Sequence, residues 1–234
     1  MKVNYWDIFG YIERKPLIFT SLYFWVFFAI VLFFYSIIYK NKPIRNAYLF
    51  LVSLFFYWKT SGFFFFILLI STFSDYYLGI RIFEAKKDLP KKLWLTLSIL
   101  INLFLLIYFK YAYFFTESIN QLLGTHYEVM NHFANLTNAI YDTNFRVDAI
   151  LLPVGISFFT FQTMSYSIDV YRGHVKPVRN ILDFGFYVSF FPQLVAGPIV
   201  RASEFIPQLY KEYHLTRHEF GMALFWILNG LIKK

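Results

Sequence analysis

From Leu17 to Tyr39 the chain carries no charged residue. A helix over that stretch is long enough to cross a hydrocarbon layer of about 30 Å. It is too long for a signal-peptide core and lacks a small-residue cleavage site, so it reads as a retained span. Further apolar runs follow at Ala47–Trp58, Phe63–Ile82, Leu93–Phe109 and Phe220–Ile232. The whole chain is 58% hydrophobic and 24% aromatic, with a mean hydropathy of +0.49. A soluble domain needs many more charges on its surface. These features predict an all-α polytopic membrane protein, a bundle of transmembrane and broken or re-entrant helices.

The absence of cysteine excludes disulfides, thiolate chemistry and cysteine-based metal centres. The net charge of +8 does not point to nucleic acid, because the basic residues sit in short loops between apolar runs. That pattern fits a lipid bilayer and its anionic headgroups as the partner. Lys and Arg number three in 40–45, five in 81–92 and three in 172–179. The positive-inside rule places these loops in the cytoplasm, with Lys59 and the 110–146 stretch outside. Alternation then returns Arg201–Arg217 to the outer face and brings Phe220–Ile232 back across. Ala47–Trp58 is too short to cross unaided. With Phe63–Ile82 it forms either a hairpin tipped near Gly62 or one bent helix, and the shared basic side of its flanking loops favours the hairpin. Met1–Lys15 is short and mixed, suited to the interface. Thr116–Arg146 reads as an extramembrane connection with some amphipathic helix.

The stretch Leu151–Leu209 departs from the ordinary pattern. On a helical wheel Ser157, Thr160 and Ser167 share one side, and Gln162, Ser165 and Asp169 share another. Lipid cannot hydrogen-bond such groups, so both rows are expected to face protein or water, leaving Phe159 and Tyr166 for lipid. Downstream, Pro192, Gly197 and Pro198 break the backbone, as Pro153 does upstream. Broken backbone at membrane depth is tolerated where protein covers it or where it lines a wet cavity. Gln193 is the best buried polar candidate for such a lining. Arg201 follows the break, placed to meet an anion or to snorkel. Asp169, Tyr171 and Arg172 form a polar edge with an Asp–Arg pair across one turn. Asp75 is read either as an intramembrane functional acid or as an interfacial one.

Other chemistry is thinly represented. There is no phosphate-cradling GxxxxGK[ST] loop, no GxSxG elbow and no pair of carboxylates on one helix face. His126 and His132 fit no metal spacing. His214 and His218 have i, i+4 spacing, but the stretch reads as a solvated helix start capped by Thr216 with Glu219 three residues on. No metal is expected.

The runs LLPVGISFFTFQTMSYSIDVYRG and DFGFYVSFFPQLVAGPIVRASEFIPQL, the upstream NLFLLIYFKYAYFFTESIN and the closing GMALFWILNGLIKK resemble the membrane-bound O-acyltransferase superfamily. The likeness is to its bacterial branch, that of alginate O-acetyltransferase membrane subunits and the D-alanyl-transfer protein of teichoic acid. It covers roughly Ser53 to Lys234 and is weakest near the start and over 121–147. It implies acyl transfer through a channel across the bacterial cytoplasmic membrane in a multi-pass protein. The acyl donor would be a thioester, acetyl-CoA or an acyl-carrier protein, as substrate, with no bound cofactor. A cell-surface polysaccharide hydroxyl would be the acceptor, and a periplasmic partner would complete the transfer. The family's intramembrane histidine has no match here, since all five histidines fall in loops or connections. Residues 1–234 are therefore expected to be the N-terminal portion of one such domain. They would supply channel wall, be inactive alone, and need the C-terminal half. D-alanyl transfer, a transporter or channel, and a membrane scaffold are the competing readings.

Overall fold

A computed structural model describes residues 21–141, 150, 152–212 and 214–233, without the side chains of 133, 136, 137, 140, 141, 195 and 196. Met1–Lys15, the first residues of the Leu17–Tyr39 run, and Asn144 and Arg146 of the connection lie outside that description. The described residues form helices and no strand. Helix α1 spans Leu22–Ile38, capped by Ser21, whose Oγ accepts the Phe24 amide at 3.2 Å. Helix α2 (Lys42–Ser61) is capped by Asn41 and has Pro43 in its first turn, where no N–H is needed. At Gly62, φ is +58, a value that favours glycine. One 3-10 turn, Gly62–Phe64, then leads into α3 (Phe65–Glu84).

The arms α2 and α3 form an open V with a short helix, α8 (Ile181–Ser189), wedged between them. Asn46 near the start of α2 donates to Asp183 of α8 at 2.9 Å. The ring of Tyr76, in the last part of α3, packs with its centroid 6.0 Å from that of Phe184, the next residue of α8, the two rings tilted by 44°. The outer ends of both arms therefore lie on one side of the bundle. Lys42–Arg45 and Arg81 share that side, which also holds the Arg179–Glu84 pair at 3.2 Å. Lys91 lies there too, over the Tyr171 ring at 5.0 Å.

Helix α4 (Asp88–Leu106) returns from this basic end. It passes through a π turn, Ile107–Tyr111, into α5 (Ala112–Leu123). The Leu93–Phe109 span expected from sequence is thus part of a longer helical run, whose Lys110 donates to Ser157 at 3.1 Å. Helix α6 is His132–Tyr141, and α7 is Ile156–Arg172. The 42–84 and 88–123 stretches are each apolar and long enough to cross a membrane; α1 is a shorter apolar helix.

Helices α3, α4 and α7 pack against one another as the core of the bundle. Phe159 and Tyr166 belong to that core, each with no exposed surface. This corrects the expectation that they meet lipid; Phe158 and Phe161 take the outward positions instead. Tyr166 is accommodated because Gly79 leaves a notch in α3. A Cβ on Gly79 would stand 2.7 Å from Tyr166 Cε1. Its hydroxyl accepts the Val178 amide at 3.3 Å, so even its polar tip is placed within protein.

The last part of the chain departs from simple alternation. Helix α8 has nine residues, only about 13 Å of rise, too little to cross. The helix breaks at Phe190 (φ −49, ψ 107) and restarts as α9 (Phe191–Ala196), with Pro192 in its first turn. Gly197 and Pro198 are non-helical, and α10 (Ala202–Leu209) runs back. It ends where the hairpin began. The buried Arg45 guanidinium donates to the carbonyls of Leu209 and, at 3.5 Å, Lys211, while Tyr210 donates to Asp183 at 2.7 Å. Residues 181–209 are therefore re-entrant. The end of this segment lies beside Arg45, not on the far face where the Arg201–Arg217 loop was expected. Helix α11 (Arg217–Ile232) starts with the expected capping box, Thr216 Oγ1 accepting the Glu219 amide at 3.2 Å and Glu219 accepting the Thr216 amide at 2.8 Å.

Candidate functional site

Two polar assemblies lie inside the bundle. The first joins α3, α4 and α7. Asp75 has no exposed surface. Ser98 Oγ donates to its Oδ1 at 2.5 Å, and Asn102 Nδ2 donates to its Oδ2 at 2.7 Å. Ser167 Oγ lies 2.9 Å from Ser98 Oγ and 3.4 Å from Asp75 Oδ1. Asn102 Oδ1 is met by Ser71 Oγ at 3.2 Å and Thr163 Oγ1 at 3.0 Å. Of the two sequence readings of Asp75, the interfacial one is set aside. A carboxylate in an apolar bundle survives only with donors on it, and α4 and α7 supply them. Of this group only Asp75 and Ser167 were singled out from sequence. Ser71, Ser98, Asn102 and Thr163 were missed, although Ser98 and Asn102 stand at helical i, i+4 spacing within an apolar run.

The second assembly is the joint between α7 and the re-entrant segment. Gln162, almost fully buried, donates through Nε2 to the Tyr187 carbonyl at 2.8 Å. The Tyr187 hydroxyl answers to the Gln162 carbonyl at 3.4 Å and the Val200 carbonyl at 3.3 Å. Helix α7 begins at Gly155, where φ is +73 and an added Cβ would stand 2.6 Å from the Leu194 carbonyl oxygen. Glycine is needed there both for the backbone angle and for the close approach. The α2 arm closes the joint: Tyr57 donates to the Val154 carbonyl at 2.8 Å, and Ser53 Oγ accepts the Phe191 amide at 3.4 Å.

The sequence-derived candidates divide between these assemblies and the periphery. Thr160 is fully buried on the face of α7 that it shares with Thr163 and Ser167, and Gln193 of the re-entrant segment is nearly fully buried. Pro153 is buried just before Gly155, and Pro192, Gly197 and Pro198 frame α9. Ser157 is half-buried under Lys110. Ser165 is half-buried and turned back on the Gln162 carbonyl at 2.8 Å. Asp169 faces His174, Nδ1 to Oδ1 3.6 Å, rather than Arg172, which is exposed. The Asp–Arg pairing across one turn is therefore replaced by an Asp–His contact. The chain reverses at Gly173 (φ +78), bringing His174 back over the helix end. Arg201 is exposed, and Tyr171 lies under Lys91. His126, His132, His174, His214 and His218 are all exposed. Among the described residues no cluster of His, Asp and Glu could hold a metal ion. A crevice of about 940 Å³ lies elsewhere, between α5 and the 124–130 loop, with His126 among its lining residues.

No family model matches the sequence, and no solved structure matches it. Curated relatives do. The chain is 34% identical over 203 residues to a probable alginate O-acetylase of Pseudomonas aeruginosa, covering 83% of this chain and 35% of that protein. It is 37% identical over 164 residues to a probable alginate O-acetylase of Azotobacter vinelandii, covering 70% of this chain and 30% of that protein. It is 30% identical over 221 residues to a peptidoglycan O-acetyltransferase of Helicobacter pylori, covering 83% of this chain and 38% of that protein. The chain thus spans between 30% and 38% of the length of these relatives. Over that span it belongs with these bacterial O-acetyltransferases in the membrane-bound O-acyltransferase superfamily.

Proposed function

We propose that the chain forms part of a multi-pass enzyme of the bacterial cytoplasmic membrane that moves an acetyl group to a hydroxyl of a cell-surface polysaccharide. The observation that carries this reading is identity of 30% or more, over most of this chain, to proteins named for O-acetylation of alginate and of peptidoglycan. The structure supplies supporting physics. A bundle that buries a carboxylate, amides and hydroxyls at span depth, beside interrupted backbone, is suited to border a polar passage. Its basic end, with Lys42, Arg45, Arg81, Lys91 and Arg179, is the end expected to face the cytoplasm and an anionic thioester donor. In the transfer the acceptor oxygen bonds to the acyl carbon, the carbon–sulfur bond breaks, and the hydroxyl proton passes through a general base to the leaving thiolate. None of the five exposed histidines is assigned that role. The passage wall is assigned to Thr160, Gln162 and Gln193, with Ser157, Ser165, Asp169 and Arg201 toward its ends.

The test is to delete the gene in its host and measure the acetate released by mild alkali from the surface polysaccharide. Loss of that acetate, restored by the wild-type gene, is the expected result. Unchanged acetate with loss of alkali-labile alanine would favour D-alanyl transfer, and no change in either would remove the transferase reading.

A further inference from the structure

Helix α5 is amphipathic. Tyr113, Thr116, Glu117, Asn120 and Gln121 recur at i, i+3, i+4, i+7 and i+8, and all line the crevice between α5 and the 124–130 loop. Phe114, Phe115, Ile119, Leu122 and Leu123 cover the opposite face and are exposed, as suits lipid. The helical run Asp88–Leu123 has 36 residues and rises about 54 Å, well beyond a hydrocarbon layer of about 30 Å. Starting from the basic end of the bundle, its last turns reach the opposite membrane surface with their polar side on the crevice.

One side chain holds the loop in place. The chain leaves α5 at Gly124 with φ +65, and Asn120 Oδ1 accepts the Thr125 hydroxyl and the Tyr127 amide, each at 2.9 Å. Asn120 Nδ2 donates to the Tyr127 carbonyl at 2.9 Å. This clamp uses only the backbone of Tyr127, whose exposed ring lines the crevice. The Tyr113 ring lines it too, its hydroxyl accepting the Ile150 amide at 2.9 Å. Val129 and Met130 add apolar surface. The volume of about 940 Å³ falls within the range of about 300–1,000 Å³ usual for ligand pockets.

Ring faces combined with amide and hydroxyl groups match a pyranose, which has an apolar C–H face and a rim of hydroxyls. Charge then selects among sugars. Glu117 and Glu128 line the crevice with one histidine, His126, and with no lysine or arginine. Lys110, in the π turn ahead of α5, donates instead to Ser157 at 3.1 Å. Carboxylates accept from sugar hydroxyls and more strongly from an amino group. A polyuronate carries a carboxylate on every sugar and would meet like charge here. We infer that the α5 crevice binds a segment of the acceptor polysaccharide at the outer surface, and that this segment is built of neutral or amino sugars, not uronates. The assignment rests on the acetyl-transfer reading above and narrows its acceptor.

Calorimetry on the whole protein in detergent tests this by comparing short chains of N-acetylglucosamine with short chains of mannuronate. The neutral chain is expected to bind at least about ten-fold more tightly. Tyr127→Ala is expected to weaken that binding about ten-fold and to leave the thermal midpoint unchanged, because the ring is not part of the clamp. Glu117→Gln combined with Glu128→Gln is expected to narrow the preference by admitting the uronate chain. Wild-type binding of the uronate chain as tight as that of the neutral one overturns the inference, and so does absence of binding by either. Neutral-chain binding that Tyr127→Ala leaves at full strength places the sugar elsewhere, and a preference that the double Gln variant keeps intact removes the charge argument; either overturns it. Binding of a short oligolysine in place of both sugars, weakened in the double Gln variant, makes the crevice a dock for a basic protein and also overturns it. None of these outcomes bears on the acetyl-transfer reading, which is decided by the acetate measured after gene deletion.

Discussion

Asp75 of α3 and Asn102 of α4 meet at 2.7 Å, and neither has any exposed surface. Their contact, with Ser98 and Ser167, makes one carboxylate the junction of three helices. Asp75→Leu strands the donors of Ser98 and Asn102 and is expected to cost about 3–5 kcal/mol. Asp75→Asn keeps an acceptor for Ser98 but presents an N–H to the Asn102 amide unless one of them turns, so about 1–2 kcal/mol is expected. Thermal unfolding of the detergent-extracted protein measures both. A Leu variant as stable as wild type would show that the junction contributes nothing to the bundle.

The notch at Gly79 makes a second prediction. Gly79→Ala places a methyl 2.7 Å from Tyr166 Cε1 and 2.9 Å from its oxygen. Tyr166 is held between Phe184, 4.6 Å between ring centroids, and the Val178 amide, so it has little room to move. The expected loss is about 1–3 kcal/mol from overpacking. Shrinking the partner should relieve it: Gly79→Ala combined with Tyr166→Leu should lose less than the sum of the two single changes. Strict additivity in the unfolding midpoints would place the methyl in open space.

The Gly79–Tyr166 pair also marks how far a sequence carries. Apolar runs gave the spans, and the Thr216–Glu219 spacing gave the start of α11, because each is encoded within a few neighbouring residues. Gln162 and Gln193 were legible as polar groups to be covered by protein or water, since each interrupts a largely apolar and aromatic run. Tyr166 was misplaced because its position is decided by a missing side chain on another helix, eighty-odd residues away. The partners of Asp75 were missed for the same reason: Ser98 and Asn102 look like minor interruptions of a greasy run until α3 and α7 are laid beside them. Alternation of crossings failed at 181–209 because a run of that length suits one crossing as well as a descent and return. Only the short reach of α8 and the position of Leu209 separate the two.

Tyr210 links the re-entrant segment to the basic end and predicts an alkaline limb of stability. Burial first, and the neighbouring Asp183 carboxylate second, push its phenol well above the ordinary tyrosine value. The neutral form is the one favoured by folding, so its contribution is complete below the unfolded tyrosine pKa of about 10 and is lost as pH rises through the higher folded value. Stability is expected to be insensitive to this group through neutrality and to decline above about pH 10. Tyr210→Phe removes the 2.7 Å hydrogen bond to Asp183 together with the titrating proton. The variant is expected to start lower at neutral pH and to show a shallower alkaline decline. An alkaline limb as steep as that of wild type would assign the decline to other groups.

The re-entrant path makes the most direct prediction about topology. Arg45 binds the Leu209 and Lys211 carbonyls, and Asn46 and Tyr210 share Asp183, so the end of α10 and the start of α2 must face the same solution. Ser157 sits with Lys110 at the far end of α7, across the bundle. The chain has no native cysteine, so single cysteines can be introduced at Lys42, Lys211 and Asn120 without background. A membrane-impermeant maleimide applied to right-side-out and inverted vesicles then reads their sides. Lys42→Cys and Lys211→Cys are expected to react from the same face, the cytoplasmic one by charge, and Asn120→Cys from the other. If Lys211→Cys instead reacts with Asn120→Cys, residues 181–209 cross the membrane. The Arg45 contacts and the joint that orders Gln193 against α7 would then both be wrong.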